Sequence, residues 1–446
     1  MKQFQGDSPN VMPRKCTVLH CKERKRSMKI EWKKAVGLAA AVAMIVPMAA
    51  CGANGGDSNA ADGSKPSETQ SANLTVWGPS EDSEWLKDME EAFGKAHPEY
   101  KVTWKNSVVA EGDAAKTVKT DPTAAADVYM FANDQLGDLL DQNAIAPVND
   151  VVAQQVKEQN SQTMVDSVTG TDGKIYGVPY TSNTYFMYYN KDKFSADDVK
   201  SLDTMLEKGK VAYPLSNSWY IPAFYLGAGM TMFGPKGTDA KAGIDFGPNA
   251  DAVSEALVKL VANPNFTNDD GTLGLAGLKN GTLDAYFSGS WDAANVQKAL
   301  GDKYGAATVP TFKAGDKDYQ MKALAGSKAI GMNPNTKAPE VASAFAAFLG
   351  STEAQKKHWE MRQIIPSDKT LTNLEGMSTS PYVQAQLDTI AKTSVAQPTI
   401  SAMSAWWTPA ETFGKALVSK QVNDGNVKQK TADFMASVKK DVANKQ

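Results

Sequence analysis

The chain has few of the groups on which catalysis and anion binding depend. Its 446 residues include three Cys, three His and four Arg. Cys16 and Cys21 lie near the amino end and only Cys51 follows them, so a disulfide-stapled scaffold and a catalytic thiol are excluded together. Arg14, Arg24 and Arg26 also lie near the amino end, which leaves Arg362 as the one guanidinium in the rest of the chain. Guanidinium is the preferred bidentate clamp for carboxylate, phosphate and sulfate, so the expected ligand is uncharged; a lysine or a helix N-terminus remains the alternative for an anion. No Walker loop, dinucleotide-binding glycine fingerprint, G-x-S-x-G elbow or HExxH occurs, and no catalytic residue, metal or cofactor is expected. Cys16, His20 and Cys21 in CTVLHC have no zinc-site spacing. Asp269-Asp270-Gly271 lacks the calcium-loop pattern and reads as a turn. His97 precedes a proline at a helix end and His358 sits in a polar helix. With no local partner for a triad or metal site, both read as surface or boundary residues. A glycosidase stays open as the enzyme alternative, because two carboxylates from anywhere in the chain would suffice.

Charge is also unevenly placed. The first 50 residues hold 10 of the 47 Lys and Arg but 3 of the 50 Asp and Glu, so the remainder is net acidic by 10. Nucleic acid is an unsuitable partner for such a surface. No apolar run reaches the roughly 20 residues of a membrane-spanning helix. The run Ala35–Ala50, interrupted by Pro47 and preceded by MKIEWKK from Met28, instead has the form of a signal peptide, residues 28–50. Residues 1–27 then read as an upstream mis-start. Ala49-Ala50-Cys51 resembles a bacterial lipobox, which implies lipidation of Cys51 and an extracytoplasmic chain held to the outer face of the cell membrane. The Gly-, Ser- and Asn-rich stretch 51–72 reads as a flexible tether, with the folded part starting near Leu74.

Beyond it, strand and helix patterns alternate. Leu74–Trp77, Lys101–Trp104 and Ala126–Phe131 read as strands around a helix at Ser83–His97, the β-α-β order of an open, mainly parallel sheet. Val168–Val178 reads as a hairpin turning at Asp172-Gly173, and Tyr185–Asn190 as a strand buried on both faces. Further strands are expected at Leu283–Phe287, Gly305–Val309 and Lys328–Gly331. From Pro381 the pattern is helical nearly to the end, broken at Pro398 and Pro409. The class is α/β in two lobes.

The positive signal is aromatic residues at element ends: Trp77, Phe131, Trp219 with Tyr220, Trp291, and Trp406 with Trp407. Ligands of open α/β sheets bind beyond the strand C-termini, and an indole face matches the C–H face of a pyranose. Any one of these rings could equally be core. Trp406 and Trp407 project about 100° apart on a helix, so one at most is expected in a cleft.

The stretches LTVWGPSED, ADVYMFANDQLGDLL, GKIYGVPYTSNTYFMYYNKD, LKNGTLDAYFSGSWD, YGAATVPTF and QPTISAMSAWWTPAETF resemble the extracellular solute-binding proteins of carbohydrate ABC transporters, most nearly the maltose/maltodextrin binders. The resemblance implies an α/β, two-lobe periplasmic-binding-protein fold of the class II type, with mainly parallel open sheets and a ligand cleft between lobes. The lobes implied are 73–180 with 328–375, and 184–322 with 382–446, with Tyr180–Asn183 crossing between them. It also implies binding without catalysis, capture of maltose or malto-oligosaccharides, docking of a monomer on permease subunits, and a set of site residues. Glu81 and Asp82 stand where the family has an Asp-Lys pair. Phe131 takes a tryptophan position, Asp134 keeps a carboxylate and Gln135 replaces an arginine. Asn183 and Asn217 occupy two glutamate positions. Trp219 replaces a stacking tyrosine, Trp291 and Trp407 retain stacking tryptophans, and Glu411 replaces an arginine. With so many hydrogen-bonding side chains changed, galacto-, xylo- and other gluco-oligosaccharides stay open as ligands.

Overall fold

A computed structural model describes residues 69–120, 125–235 and 237–445. The leader, signal peptide, Cys51 and most of the tether lie outside these residues. The first strand, Gln70–Gly78, begins four residues before Leu74, because polar Gln70–Asn73 extend a parallel ladder with Tyr100–Thr103.

The first sheet has the order Ser394–Ala396, Ala323–Met332, Val128–Ala132, Gln70–Gly78, Tyr100–Val108, with Val178–Asn183 also paired to Ala323–Met332. The strand Val128–Ala132 is buried throughout, and the two-residue period explains it. Val128 and Met130 pack with Trp85, Phe93 and Phe345 on one face, while Tyr129 and Phe131 pack with Leu136, Leu139 and Val156 on the other. Helix Ser83–Ala96 covers the first face through Trp85, Met89 and Phe93 and stops before Pro98. Helix Pro339–Leu349 joins it, with its proline at the first position, where no intrahelical N–H is needed.

The second sheet has the order Tyr304–Ala307, Phe186–Asn190, Ala285–Ser288, Val211–Tyr213, Phe266–Asn268. It too is covered on both faces: Phe186 and Tyr188 point into one apolar cluster, Met187 and Tyr189 into another. Each sheet also holds antiparallel pairs: Ala323–Met332 runs antiparallel to Val128–Ala132 and Val178–Asn183 but parallel to Ser394–Ala396 in the first, and Phe186–Asn190 runs antiparallel to both neighbours in the second. Two paired segments pass between the cores. Tyr180 packs in the first-sheet core and Tyr185 in the second; Ala323 and Leu324 pack in the second and Ile330 in the first. Gly326 pairs with Asn183 where they cross. Trp359 and Ile365, by contrast, pack with Phe186 and Tyr286 rather than with the first sheet.

The expected hairpin at 168–178 is present in short form: Thr169 bridges Ile175, the Gly170 and Tyr176 N–H groups donate to the Lys174 and Val168 carbonyls, and the Asp172 carboxylate accepts the Lys174 N–H and the Tyr176 hydroxyl at the turn. Two local expectations are corrected. Pro409 does not break its helix, which runs Ser404–Val418. Its missing N–H forfeits one bond near the start, and burial of Trp406, Ala410, Phe413 and Leu417 outweighs that loss. The helical pattern after Pro381 is also interrupted by the edge strand Ser394–Ala396, where Val395 pairs with Leu324.

Candidate functional site

Five parallel strands deliver their C-terminal ends to one place. Gln70–Gly78 leads into the turn Ser80–Asp82, Tyr100–Val108 into Glu111–Asp113, and Val128–Ala132 into Asn133–Gln135. From the second sheet, Val211–Tyr213 leads to Asn217–Trp219, and Ala285–Ser288 to Ser290–Asp292. Residues from all five turns, joined by Trp407 and Glu411 of the helix Ser404–Val418, line a cleft of about 920 Å³. That volume lies in the range of small-molecule sites, and strand C-termini are where open α/β sheets hold ligands.

The wall from the first sheet is polar and tied down. Asp82 is 3% exposed and its Oδ1 accepts from His358 Nε2 (2.9 Å) and Arg362 Nε (3.1 Å). Burial pushes the Asp82 carboxyl up, but the charges and hydrogen bonds of His358 and Arg362 outweigh it and hold the group below its ordinary value. The carboxylate is thus the acceptor and Nε2 carries the proton, which leaves His358 Nδ1 buried without a partner. The His358 ring stacks on Trp85 at 4.2 Å. Beside this group, Glu111 Oε1 accepts from the Tyr180 hydroxyl (2.8 Å) and from Lys328 Nζ (3.0 Å). Lys328 sits at a bulge in the crossing strand Ala323–Met332, and its ammonium lies 5.2 Å from the centre of the Trp291 ring, so it reaches from one wall to the other. Asp134 is partly buried; burial raises its carboxyl to about 6 despite a hydrogen bond from Gln135 Nε2 (3.0 Å).

The wall from the second sheet is aromatic. Trp219 and Trp291 are half-buried with centroids 6.3 Å apart. Trp219 is fixed by its Nε1–H to Gln397 (2.7 Å) and by edge contacts with Tyr185 and Tyr220. Trp291 lies against Gly289, where a Cβ would stand 2.1 Å from the indole; only glycine lets the ring lie flat there. Trp407 is the half-buried member of its pair, and Trp406 is fully buried with its Nε1–H on the Ser218 carbonyl.

Ten of the eleven residues named from the sequence line this cleft: Glu81, Asp82, Asp134, Gln135, Asn183, Asn217, Trp219, Trp291, Trp407 and Glu411. Phe131 does not. It is fully buried against Tyr129, because the side chain one residue before the strand end points into the core while Ala132 faces the cleft. Trp77 and Tyr220 are core residues as well. His358 is likewise corrected from surface residue to buried member of the cleft wall; its partner Asp82 is 276 positions away, so local sequence gave no hint. Glu111, Tyr180, Lys328 and Arg362 were not assigned from the sequence. Two carried a signal: Glu111 follows a strand end as Glu81 does, and Lys328 is a lone charge within the apolar strand ALAGSKAIGM.

The chain matches the bacterial extracellular solute-binding protein family over residues 88–385. It is 27% identical to the maltooligosaccharide ABC transporter solute-binding lipoprotein of Streptococcus pneumoniae, over 87% of this chain and 93% of that one. It is 26% identical to the galactooligosaccharide-binding protein of Bacillus subtilis, over 83% and 88%. A structure solved with acarbose superposes with a TM-score of 0.79 at 48% identity, covering 82% of this chain and 98% of the other. The maltodextrin-binding protein of L. casei BL23, solved without ligand, gives 0.72 at 27% identity, covering 82% and 99%. The architecture is therefore the two-lobe periplasmic-binding-protein fold, mixed α/β. Sheets that end on a shared cleft, and a family match over two thirds of the sequence, lead to one assignment: the chain belongs to the bacterial extracellular solute-binding proteins.

Proposed function

We propose that this protein is the substrate-binding component of a sugar ABC importer and captures neutral oligosaccharides, malto-oligosaccharides first, without altering them. The observation that carries the reading is the set Trp219, Trp291 and Trp407, facing a hydrogen-bonding wall across a cleft of about 920 Å³. Pyranose rings stack on the indoles, while Glu81, Asp134, Gln135, Asn183 and Asn217 take the hydroxyls that are costly to leave unpaired. The Asn183 side chain, which makes no hydrogen bond within the described residues, is free for this.

Because the two walls come from different sheets, a bound sugar touches both and stabilises the closed arrangement over the open one. The moving bodies are the lobes 73–180 with 328–375 and 184–322 with 382–446, joined through the paired crossing segments and through Trp359 and Ile365, which pack on the second lobe. The closed monomer docks on permease subunits, and a lipid on Cys51 keeps it at the outer face of the membrane. The relatives named for maltooligosaccharides and maltodextrin, and the acarbose complex at 48% identity, support this ligand class. A galacto-oligosaccharide is the second reading, favoured by the B. subtilis relative.

Thermal shift of the purified protein against maltose, maltotriose, longer dextrins, raffinose and xylo-oligosaccharides tests the reading. A ligand at 100 times its Kd adds about 2.7 kcal/mol. The malto-series is expected to shift the transition without release of reducing ends. Silence of that series beside a shift with raffinose would replace the first reading by the second.

A further inference from the structure

We infer that Gln397 is a positioning residue for sugar binding: its amide holds the Trp219 indole at a fixed tilt and ties that tilt to the segments that cross between the two sheets. This rests on the reading above, in which a pyranose ring stacks on Trp219. Gln397 does not line the cleft, so it acts through the ring.

Gln397 is 4% exposed, and its Nε2 is buried without a partner. An indole N–H can only donate, so the amide oxygen has to face Trp219 Nε1 (2.7 Å) and the amide nitrogen has to face away. A buried donor left unpaired costs stability, and a methionine would fill about the same space without that cost. The amide is therefore kept for its oxygen. Of the three indoles in the cleft, Trp219 alone has its N–H engaged among the described residues. Trp291 is held flat by the backbone at Gly289 and needs no such tether. Around Trp219, the edge-to-face contacts with Tyr185 (5.1 Å) and Tyr220 (5.2 Å) confine the ring, and the bond to Gln397 sets its tilt.

The anchor of Gln397 is the crossing strand. Its backbone N–H donates to the Ala325 carbonyl (2.8 Å), one residue before Gly326, where Ala323–Met332 passes Asn183. Four residues further on, the Ser401 nitrogen lies where a Cβ on Gly137 would be 2.3 Å away. The missing side chain lets the helix Leu136–Asp141, which follows the turn carrying Asp134 and Gln135, close on this backbone. Segment 397–401 thus runs from a hydrogen-bonding turn of the first wall to a ring of the second. Trp219 is thereby ordered relative to both walls before a ligand arrives, which removes an ordering cost that binding would otherwise carry.

NMR of the indole N–H groups and isothermal titration of the purified protein with maltotriose read this out. The Trp219 signal is identified by its loss in Trp219→Phe. In the ligand-free parent it is expected to resist solvent exchange, and in Gln397→Met to exchange about 10-fold faster or more. Gln397→Met should weaken maltotriose binding about 10-fold. Its urea midpoint should stay with the parent's, since one hydrogen bond and one unpaired donor are lost together. Trp219→Phe keeps a ring but removes the N–H, so adding Gln397→Met to it should weaken binding no further, the non-additivity of two residues that act as a unit. Free exchange of the Trp219 N–H in the parent, a folded Gln397→Met that binds maltotriose as the parent does, or losses that simply add in the double variant each overturn the positioning role alone. The first of these does not depend on Gln397→Met folding. A parent that binds no maltotriose removes the maltodextrin reading and the positioning role with it.

Discussion

On one wall of the cleft Asp82, His358, Arg362, Glu111 and Lys328 hold one another in place; on the other Trp219, Trp291 and Trp407 stand on a packed aromatic layer. The first wall is positioned by charge and hydrogen bonding between residues far apart in sequence, the second by burial of ring surface at strand and helix ends. An ion-paired wall is sensitive to loss of any single partner, whereas an indole half in the core can be removed with its support left standing. The comparison therefore predicts that first-wall substitutions act mainly on stability and second-wall substitutions mainly on binding.

The largest effect is expected from Asp82→Ala. It leaves the protonated Nε2 of His358 and the Arg362 guanidinium without their acceptor in a largely buried place, a loss of about 3–5 kcal/mol for a broken buried pair. Urea unfolding checks this. The pH dependence has a definite sign, because the native Asp82 carboxyl lies below its ordinary value. Its contribution is complete above the unfolded value of about 4 and disappears as pH falls through the native one. Asp82→Asn should lose this part of the acid limb. If Asp82→Ala matches the parent in stability and fails only to bind sugar, the two walls do not differ as argued.

Next comes Trp291→Ala, expected to weaken malto-oligosaccharide binding by about 2–4 kcal/mol, the range of an aromatic hot spot. The unfolding transition should move little, since the ring already faces the cleft. Quenching of tryptophan fluorescence by ligand should fall with it. Unfolding of the variant would mean the ring is core, and would erase the contrast between the walls.

How each wall was legible in the sequence follows from the same contrast. Large rings at strand ends announce themselves, and Trp219 and Trp291, named by the rule that ligands gather at the C-terminal ends of parallel strands, both line the cleft. Phe131 failed by one residue, since side chains alternate across a strand and sequence does not fix which of two neighbours faces the cleft. Glu111 and Lys328 are 217 positions apart, and Asp82 and His358 are 276 apart. Pairs of that kind become visible only once the crossing strands bring Ala323–Met332 beside the loops of the first sheet. The core elements Gln70–Gly78 and Ser83–Ala96 were readable from their periods of two and 3.6, and Phe186–Asn190 from its short continuous apolar run. The helix through Pro409 was misjudged because core packing overrode local propensity.

Asp134→Asn sharpens the comparison from the other direction. Burial raises the carboxyl to about 6, so the native state keeps a proton that the unfolded chain, near 4, has lost. Stability on this account rises as pH falls from about 6 to about 4, and above 6 the full cost of the buried charge remains. Replacing the carboxylate should therefore stabilise the protein at pH 7 by about 1–3 kcal/mol and remove this dependence. Affinity for the sugar should fall, because one acceptor is lost. That combination, more stable and less able to bind, marks a residue kept for the ligand.

The smallest effect is expected at Glu411, a charged residue on the aromatic side of the cleft. It forms an exposed ion pair with Lys415 one helical turn on, a type of pair that contributes about 0.3–0.5 kcal/mol and is screened by salt. Glu411→Gln should lower the unfolding free energy by no more than this, and less in high salt. Its amide still accepts one hydroxyl, so affinity for maltotriose should change by about 3-fold at most. A loss as large as that of Trp291→Ala would show that this wall, too, reads its ligand through charge, and the division of labour between rings and ion pairs would then have to be abandoned.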